Sequence, residues 1–161
     1  MARRYWLFKS EPGAFSWEDL VACPEGTTFW DGVRNYQARN LLRDEIKPGD
    51  RVFFYHSRCH PPEIVGTATV TRGGAADPTQ FDPASPYADP ASKPESPRWY
   101  GVEIRADRAL KRPVSLAELK QSSELQGMMV TRRGARLSIQ PVRPEEWKAV
   151  LALSRRPRTP P

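Results

Sequence analysis

The residues best able to do chemistry are few. The chain holds two histidines, His56 and His60, and two cysteines, Cys23 and Cys59. His56, Cys59 and His60 sit close together and are soft ligands, so zinc is the first chemistry to weigh. Their spacing fits no zinc pattern, and a four-ligand site would need distant Cys23 to converge on them. No metal site is expected, and two cysteines make no disulfide framework. His56 shares a strand face with Val52 and Phe54, which favours a hydrogen-bonded core histidine over a base or a ligand. Ser10 has no G-x-S-x-G context, and Gly73-Gly74 is a lone pair rather than a phosphate loop. The carboxylate pairs Asp44-Glu45 and Glu145-Glu146 fall beside helix ends or on solvated faces. An enzyme would leave His56 without a partner carboxylate or metal, so a non-catalytic protein without a cofactor is expected, with a nucleoside or small-molecule enzyme using His56 as base the alternative.

The aromatic content is the more informative chemistry. Five Trp and five Tyr in 161 residues exceed what an apolar core requires. Trp30 precedes Asp31-Gly32, which places it where a strand meets a turn. Tyr55 and Ser57 share one strand face. Aromatic rings beside polar groups at strand ends can stack a planar ring while their neighbours read its edge. A tryptophan more often simply fills a core, and that reading stands beside the first.

These side chains must be positioned by short elements. Tyr5–Lys9 reads as a strand, Ser16-Trp17-Glu18-Asp19 as a capping box opening a helix through Ala22, and Thr27–Trp30 as a short strand. Arg34–Ile46 lacks Gly and Pro and has helical spacing, and Lys47-Pro48-Gly49-Asp50 is a turn. Arg51–Ser57 and Glu63–Thr71 alternate as an antiparallel pair. Residues 73–97 carry six prolines and are expected to be a surface loop with little regular structure. Trp99–Ala106 is a strand, Ser115–Glu118 caps a helix, and Arg136–Gln140 is a strand ended by Pro141. A helix begins at Pro144, and an Arg/Pro tail over 154–161 is expected to be disordered. The sum is an α+β domain of about six short strands and about four short helices, mostly antiparallel.

Charge qualifies any argument for a nucleic-acid partner. The formal net charge is +6, but Arg3 and Arg4 at one end and Arg155, Arg156 and Arg158 at the other leave residues 5–153 at only +1. Within the body, residues 98–136 carry +5 while 61–97 carry −3. One face can therefore still be positive. No apolar run approaches a membrane span, and Lys9 interrupts the N-terminal apolar stretch too early for a signal core. A soluble, cytoplasmic protein is expected, and a monomer, since no heptads appear. High Arg, Ala and Pro suggests a GC-rich bacterial source.

Several stretches resemble the EVE-domain family. They are Tyr5-Trp6-Leu7-Phe8-Lys9-Ser10-Glu11-Pro12, the run Phe29–Asn40 beginning Phe-Trp-Asp-Gly, Gly49–Ser57, Ile64–Ala68 and Arg136–Val142. They are long, in order, and span residues 5–153. The resemblance implies one PUA-like domain over 1–153: a small, partly open β-barrel with short peripheral helices. It also implies a reader of modified bases, associated with modified cytosines in DNA such as 5-methylcytosine or 5-hydroxymethylcytosine. The relation to YTH and ASCH domains keeps RNA open as the polymer. A nuclease or modification enzyme is a conceivable partner, and a nucleoid-associated location would follow from DNA binding. Carried onto this chain, the resemblance puts Lys9 and Ser10 at the pocket mouth, Trp30 as a stacking wall and Asn35 as reader of a base edge. It puts Arg39 on a phosphate or a pocket carboxylate, and Tyr55, His56 and Ser57 along another wall. That gives His56 a pocket role as an alternative to its core role.

Overall fold

The structure is a computed structural model that describes residues 3–157. Six strands form one sheet: β1 (Tyr5–Ser10), β2 (Thr27–Phe29), β3 (Arg51–His56), β4 (Glu63–Ala76), β5 (Tyr100–Ser115) and β6 (Ile139–Val142). Their order is β2-β5-β4-β3-β1-β6. The β1–β3 pair is parallel and every other pair antiparallel. The sheet does not close: β2 and β6 are its edges. The short helices are α1 (Trp17–Ala22), α2 (Tyr36–Asn40), α3 (Leu116–Gln121) and α4 (Pro144–Ser154). None is long and apolar enough to cross a membrane.

Strand alternation sends side chains to two apolar layers, and both are covered. From β1 and β3, Trp6, Phe8, Val52 and Phe54 join Trp17, Leu20, Trp30 and Leu42 on one face. Leu7, Phe53 and Tyr55 join Leu119, Leu125, Trp147 and Val150 on the other. The strands buried on both sides hold the large apolar residues.

Capping explains where the helices start. Ser16 and Ser115 both form capping boxes, with Asp19 and Glu118. The expected long helix over 34–46 instead starts at Tyr36 and passes at Leu41 into one π-helical turn, closed by Ile46 N–H donating to the Leu41 carbonyl at 3.0 Å. The Gly49-Asp50 turn is fixed by chemistry as well as by glycine. The buried Asp50 carboxylate accepts from the Trp6 indole (3.0 Å), Lys47 N–H (3.0 Å) and Arg4 N–H (3.1 Å).

Four expectations are corrected. β4 runs through Gly73-Gly74 to Ala76, and Gly74 admits the backbone of the π turn: a Cβ there would lie 2.7 Å from the Leu42 carbonyl oxygen. β5 continues to Ser115, its register with β4 shifted by bulges. β6 is Ile139–Val142 and includes Pro141, which an edge strand tolerates on its unpaired side. Ser154 closes α4 and is buried rather than beginning a tail, and the Arg156 carbonyl accepts from Arg112 Nε at 2.6 Å. Residues 158–161, with Arg158, lie outside the described residues.

Gly101 shows how tightly the sheet edge is built. A Cβ there would overlap the Trp30 carbonyl oxygen and come within 2.8 Å of the Phe29 ring. Gly101→Ala is expected to cost about 2 kcal/mol of stability by overpacking, read as a lowered Tm in thermal unfolding; an unchanged Tm would contradict this packing.

Candidate functional site

A cavity of about 530 Å³ opens where β1 and β2 end, within the usual range for a small-ligand site. Lys9, Ser10 and Glu11 enter it from the end of β1, with Phe15 from the turn that follows. Thr28, Phe29 and the run Trp30–Arg34 form the opposite wall, Ser138 closes one side and Tyr87 another.

Trp30 is both wall and core. It is 8% exposed, and its ring meets Phe8 at 5.3 Å, Phe54 edge-on at 5.6 Å and Phe15 at 6.1 Å. The two sequence readings of this tryptophan thus describe one side chain. Asp31 is the next residue. Its carboxylate is solvent-accessible and has no hydrogen-bond partner other than its own backbone among the described residues. Partial burial and the nearby Asp77 charge push its pKa above the usual aspartate range, although Arg34 pulls the other way.

The loop expected to lack regular structure contributes most to this architecture. Asp77, whose side chain is fully buried, accepts from Gly32 N–H at 2.8 Å and from Arg34 Nη1 at 3.0 Å, and from Thr79 N–H and Oγ1 at 2.8 and 2.6 Å. Burial alone would raise its pKa; the bonds from Thr79, Gly32 and Arg34 outweigh it and hold the carboxyl below its ordinary range. Buried Gln80 donates to the carbonyls of Asp77 and Trp99 and accepts from Ser92 Oγ and Trp99 N–H. Arg34 also donates to the Tyr87 carbonyl at 2.7 Å. Gly32 has φ +78°, and a Cβ there would lie 2.8 Å from the Tyr87 ring.

The residues assigned from the family resemblance divide. Lys9, Ser10 and Trp30 line the cavity. Lys9 Nζ donates to the Ala135 carbonyl at 3.0 Å, its pKa lowered by burial, and Ser10 Oγ donates to the Phe15 carbonyl at 2.6 Å. Asn35 is the N-cap of α2, its Oδ1 accepting from Ala38 N–H at 2.9 Å, and it lines a neighbouring groove. Arg39 lies over the Tyr36 ring and donates to the Arg98 carbonyl at 2.6 Å, away from the cavity. Tyr55 points into the opposite apolar layer, because its position in β3 alternates with Phe54; burial, with the Cys59 thiol adding to it, pushes its hydroxyl up to about 12. His56 Nε2 accepts from Trp17 N–H at 3.0 Å at the start of α1, and burial lowers its pKa, so it is a neutral acceptor. Ser57 does not line the cavity; its backbone N–H donates to the Ser10 carbonyl at 2.9 Å. The missed residues are Phe15, Asp31, Arg34 and Tyr87; for Asp31 and Arg34 the signal was their place in the Phe-Trp-Asp-Gly run.

No group of three or more His, Cys, Asp or Glu able to hold a metal occurs among the described residues. The EVE domain family model matches residues 4–153. The chain belongs to the EVE-domain family. Human thymocyte nuclear protein 1 is 44% identical over 166 residues, covering 92% of this chain and 73% of that protein. A solved structure of human THYN1 protein in complex with 5-methylcytosine containing DNA superposes with a TM-score of 0.88 at 43% identity, covering 96% of this chain and 99% of that one. A crystal structure of a Pseudomonas syringae protein gives 0.87 at 44% identity, covering 93% and 99%. The open mixed sheet with short helices is accordingly an EVE-type, PUA-like α+β fold.

The two aspartates carry opposite pH signatures. Asp31, raised in the folded state, contributes stability at acid pH that is lost as pH rises through its folded pKa. Asp31→Asn is thus expected to raise Tm at neutral pH and to leave it unchanged below the usual aspartate range. Asp77, lowered, contributes stability above that range. Asp77→Asn is expected to cost about 3 kcal/mol at neutral pH, with the deficit shrinking as pH falls through the folded pKa. Thermal unfolding from pH 7 down to about pH 2 checks both signs.

Proposed function

We propose that this EVE-domain protein is a non-catalytic reader of modified cytosine in DNA, and that the base leaves its stack to enter the cavity beside Trp30. The observation that carries the reading is the pairing of an aromatic wall with an unclaimed carboxylate in one hollow. The complex of the human relative with 5-methylcytosine-containing DNA supports it. Cytosine presents an N4 amino donor where thymine presents an acceptor, and Asp31 is an acceptor. Phe15 and Trp30 offer apolar surface to a 5-methyl group. The choice of base and the choice of methylation then rest on different side chains.

Fluorescence anisotropy with DNA oligonucleotides differing at one position tests this. 5-Methylcytosine is expected to bind about tenfold more tightly than cytosine, a difference of about 1.4 kcal/mol. The Asp31→Ala variant is expected to lose discrimination between 5-methylcytosine and thymine, which share the methyl group, while keeping its preference for 5-methylcytosine over cytosine. Equal binding of all three bases by the unaltered protein would end the reading. A 5-hydroxymethylcytosine arm and an RNA of the same sequence identify the modification and the polymer. Trp30→Ala is a poor probe, because truncating so buried a tryptophan is expected to cost about 3–5 kcal/mol of stability.

A further inference from the structure

The cavity has a neighbour of opposite character. A groove of about 440 Å³ is lined by Asn35, Gln37, Met129 and residues 132–137, which include Arg132, Arg133 and Arg136. The two hollows share a wall. Lys9, in the cavity, bonds to the Ala135 carbonyl in the groove, and Lys9 N–H donates to the carbonyl of Ser138, which lines the cavity. Arg132 also lines a third hollow, together with Arg3, Arg4 and Arg143. The three hollows thus follow one another along the surface.

The arginines along this course are all exposed. Arg4 pairs with Glu45, and Arg143 with Glu145 and Glu146. Arg132 donates to the Gly127 carbonyl at 3.2 Å and has no acidic partner among the described residues. Neither do Arg3, Arg133 and Arg136, and no carboxylate lines the groove. Three unneutralised guanidinium groups thus crowd five residues of chain in a body whose net charge is only +1. Such a concentration repels itself unless an anion covers it.

We infer that this arginine course is the lane for the DNA phosphate backbone beside an extruded base, running from Arg136 through Arg133 and Arg132 toward Arg3. This rests on the modified-base reading for the place of the base, but the lane makes a separate claim: it sets affinity without regard to which base is presented. Guanidinium groups grip phosphate oxygens in pairs. The amides of Asn35 and Gln37 face the same groove and add neutral donors, which gives Asn35 a second use beside its cap.

The test is the salt dependence of binding to matched cytosine and 5-methylcytosine duplexes. The double variant Arg133→Ala/Arg136→Ala removes two exposed side chains, and circular dichroism and Tm confirm its fold. It is expected to flatten the slope of log K against log[salt] by about 1.8. It is also expected to weaken binding to both duplexes by the same factor, leaving their ratio unchanged. Arg108→Ala/Lys111→Ala, an equal loss of charge at exposed positions of β5, is expected to move the slope far less. An equal effect in that control would overturn the lane in favour of net charge alone, as would an unchanged slope in the first variant. Loss of base discrimination with the slope intact would reassign these arginines to base reading. If the unaltered protein shows no base preference but the slope still flattens, the lane stands and the modified-base reading fails.

Discussion

Burying a carboxylate in an apolar sheet domain costs several kcal/mol unless its lone pairs meet donors. The Asp77 side chain is fully buried, and its donors come from two places in the chain. Thr79 donates to it locally, while Gly32 and Arg34 reach it from the loop that carries Trp30. The bonds cannot be satisfied unless the tryptophan loop and the proline-rich loop adopt one relative position. Arg34 reinforces that choice by also binding the Tyr87 carbonyl and lying over the Trp99 ring. Tyr87 is thereby brought against Gly32, and the cavity acquires its outer wall. Without this knot the opening would have aromatic residues on one side and an untethered loop on the other.

The inner wall has a different origin. β1 pairs with β3 in parallel register from Tyr5↔Arg51 to Ser10↔His56. Both strands are buried on both faces, so they cannot slip by one residue without exchanging their two apolar layers. That rigidity ends at Ser10, where the chain leaves the sheet and Lys9, Ser10 and Phe15 meet the cavity. His56 is placed at the same level, yet it serves α1 rather than the cavity: its lone pair is taken by the Trp17 amide. A neutral imidazole so engaged has no free nitrogen of the kind a general base at that atom would need.

Strand identity, the two capping boxes and the paired faces of β1 and β3 were legible because each rests on local periodicity or on a few adjacent residues. The cavity was half legible. Lys9, Ser10 and Trp30 lie on motif segments that reach it. Tyr55, His56 and Ser57 lie on an equally long motif, but their orientation depends on strand parity: Tyr55 faces the opposite layer and His56 is committed to α1. Asn35 and Arg39 illustrate the same limit, since a polar residue's use as a cap or a ring partner depends on neighbours that only the fold supplies. What the proline-rich loop contributes was illegible for a further reason. Its composition describes a chain without regular hydrogen bonding, yet its polar side chains replace that bonding: Gln80, Ser92 and Asp77 are buried, and each is bonded to side chains or to backbone outside any ladder. A polar network assembled from residues 77–99 leaves no periodic trace.

On the proposed reading, energetics divide recognition between the cavity and the arginine groove. Extruding a base costs a few kcal/mol, and stacking on an aromatic returns about 1–3 kcal/mol. Trp30 presents little free surface because Phe8, Phe15 and Phe54 already pack against it, so the return here lies toward the lower end. A hydrogen bond to the Asp31 carboxylate adds about 1.5–3 kcal/mol at most, and its own hydration must first be given up. The cavity alone is therefore close to balance: enough to choose among bases, too little to hold a duplex. The missing free energy would then come from contacts indifferent to the base. With Asp31 unpaired inside the hollow, phosphate held directly over the cavity mouth would be repelled, whereas one groove away the arginines of residues 132–136 have no carboxylate among them. On the proposed reading, separating the two would keep an acceptor for cytosine from opposing cations for its backbone.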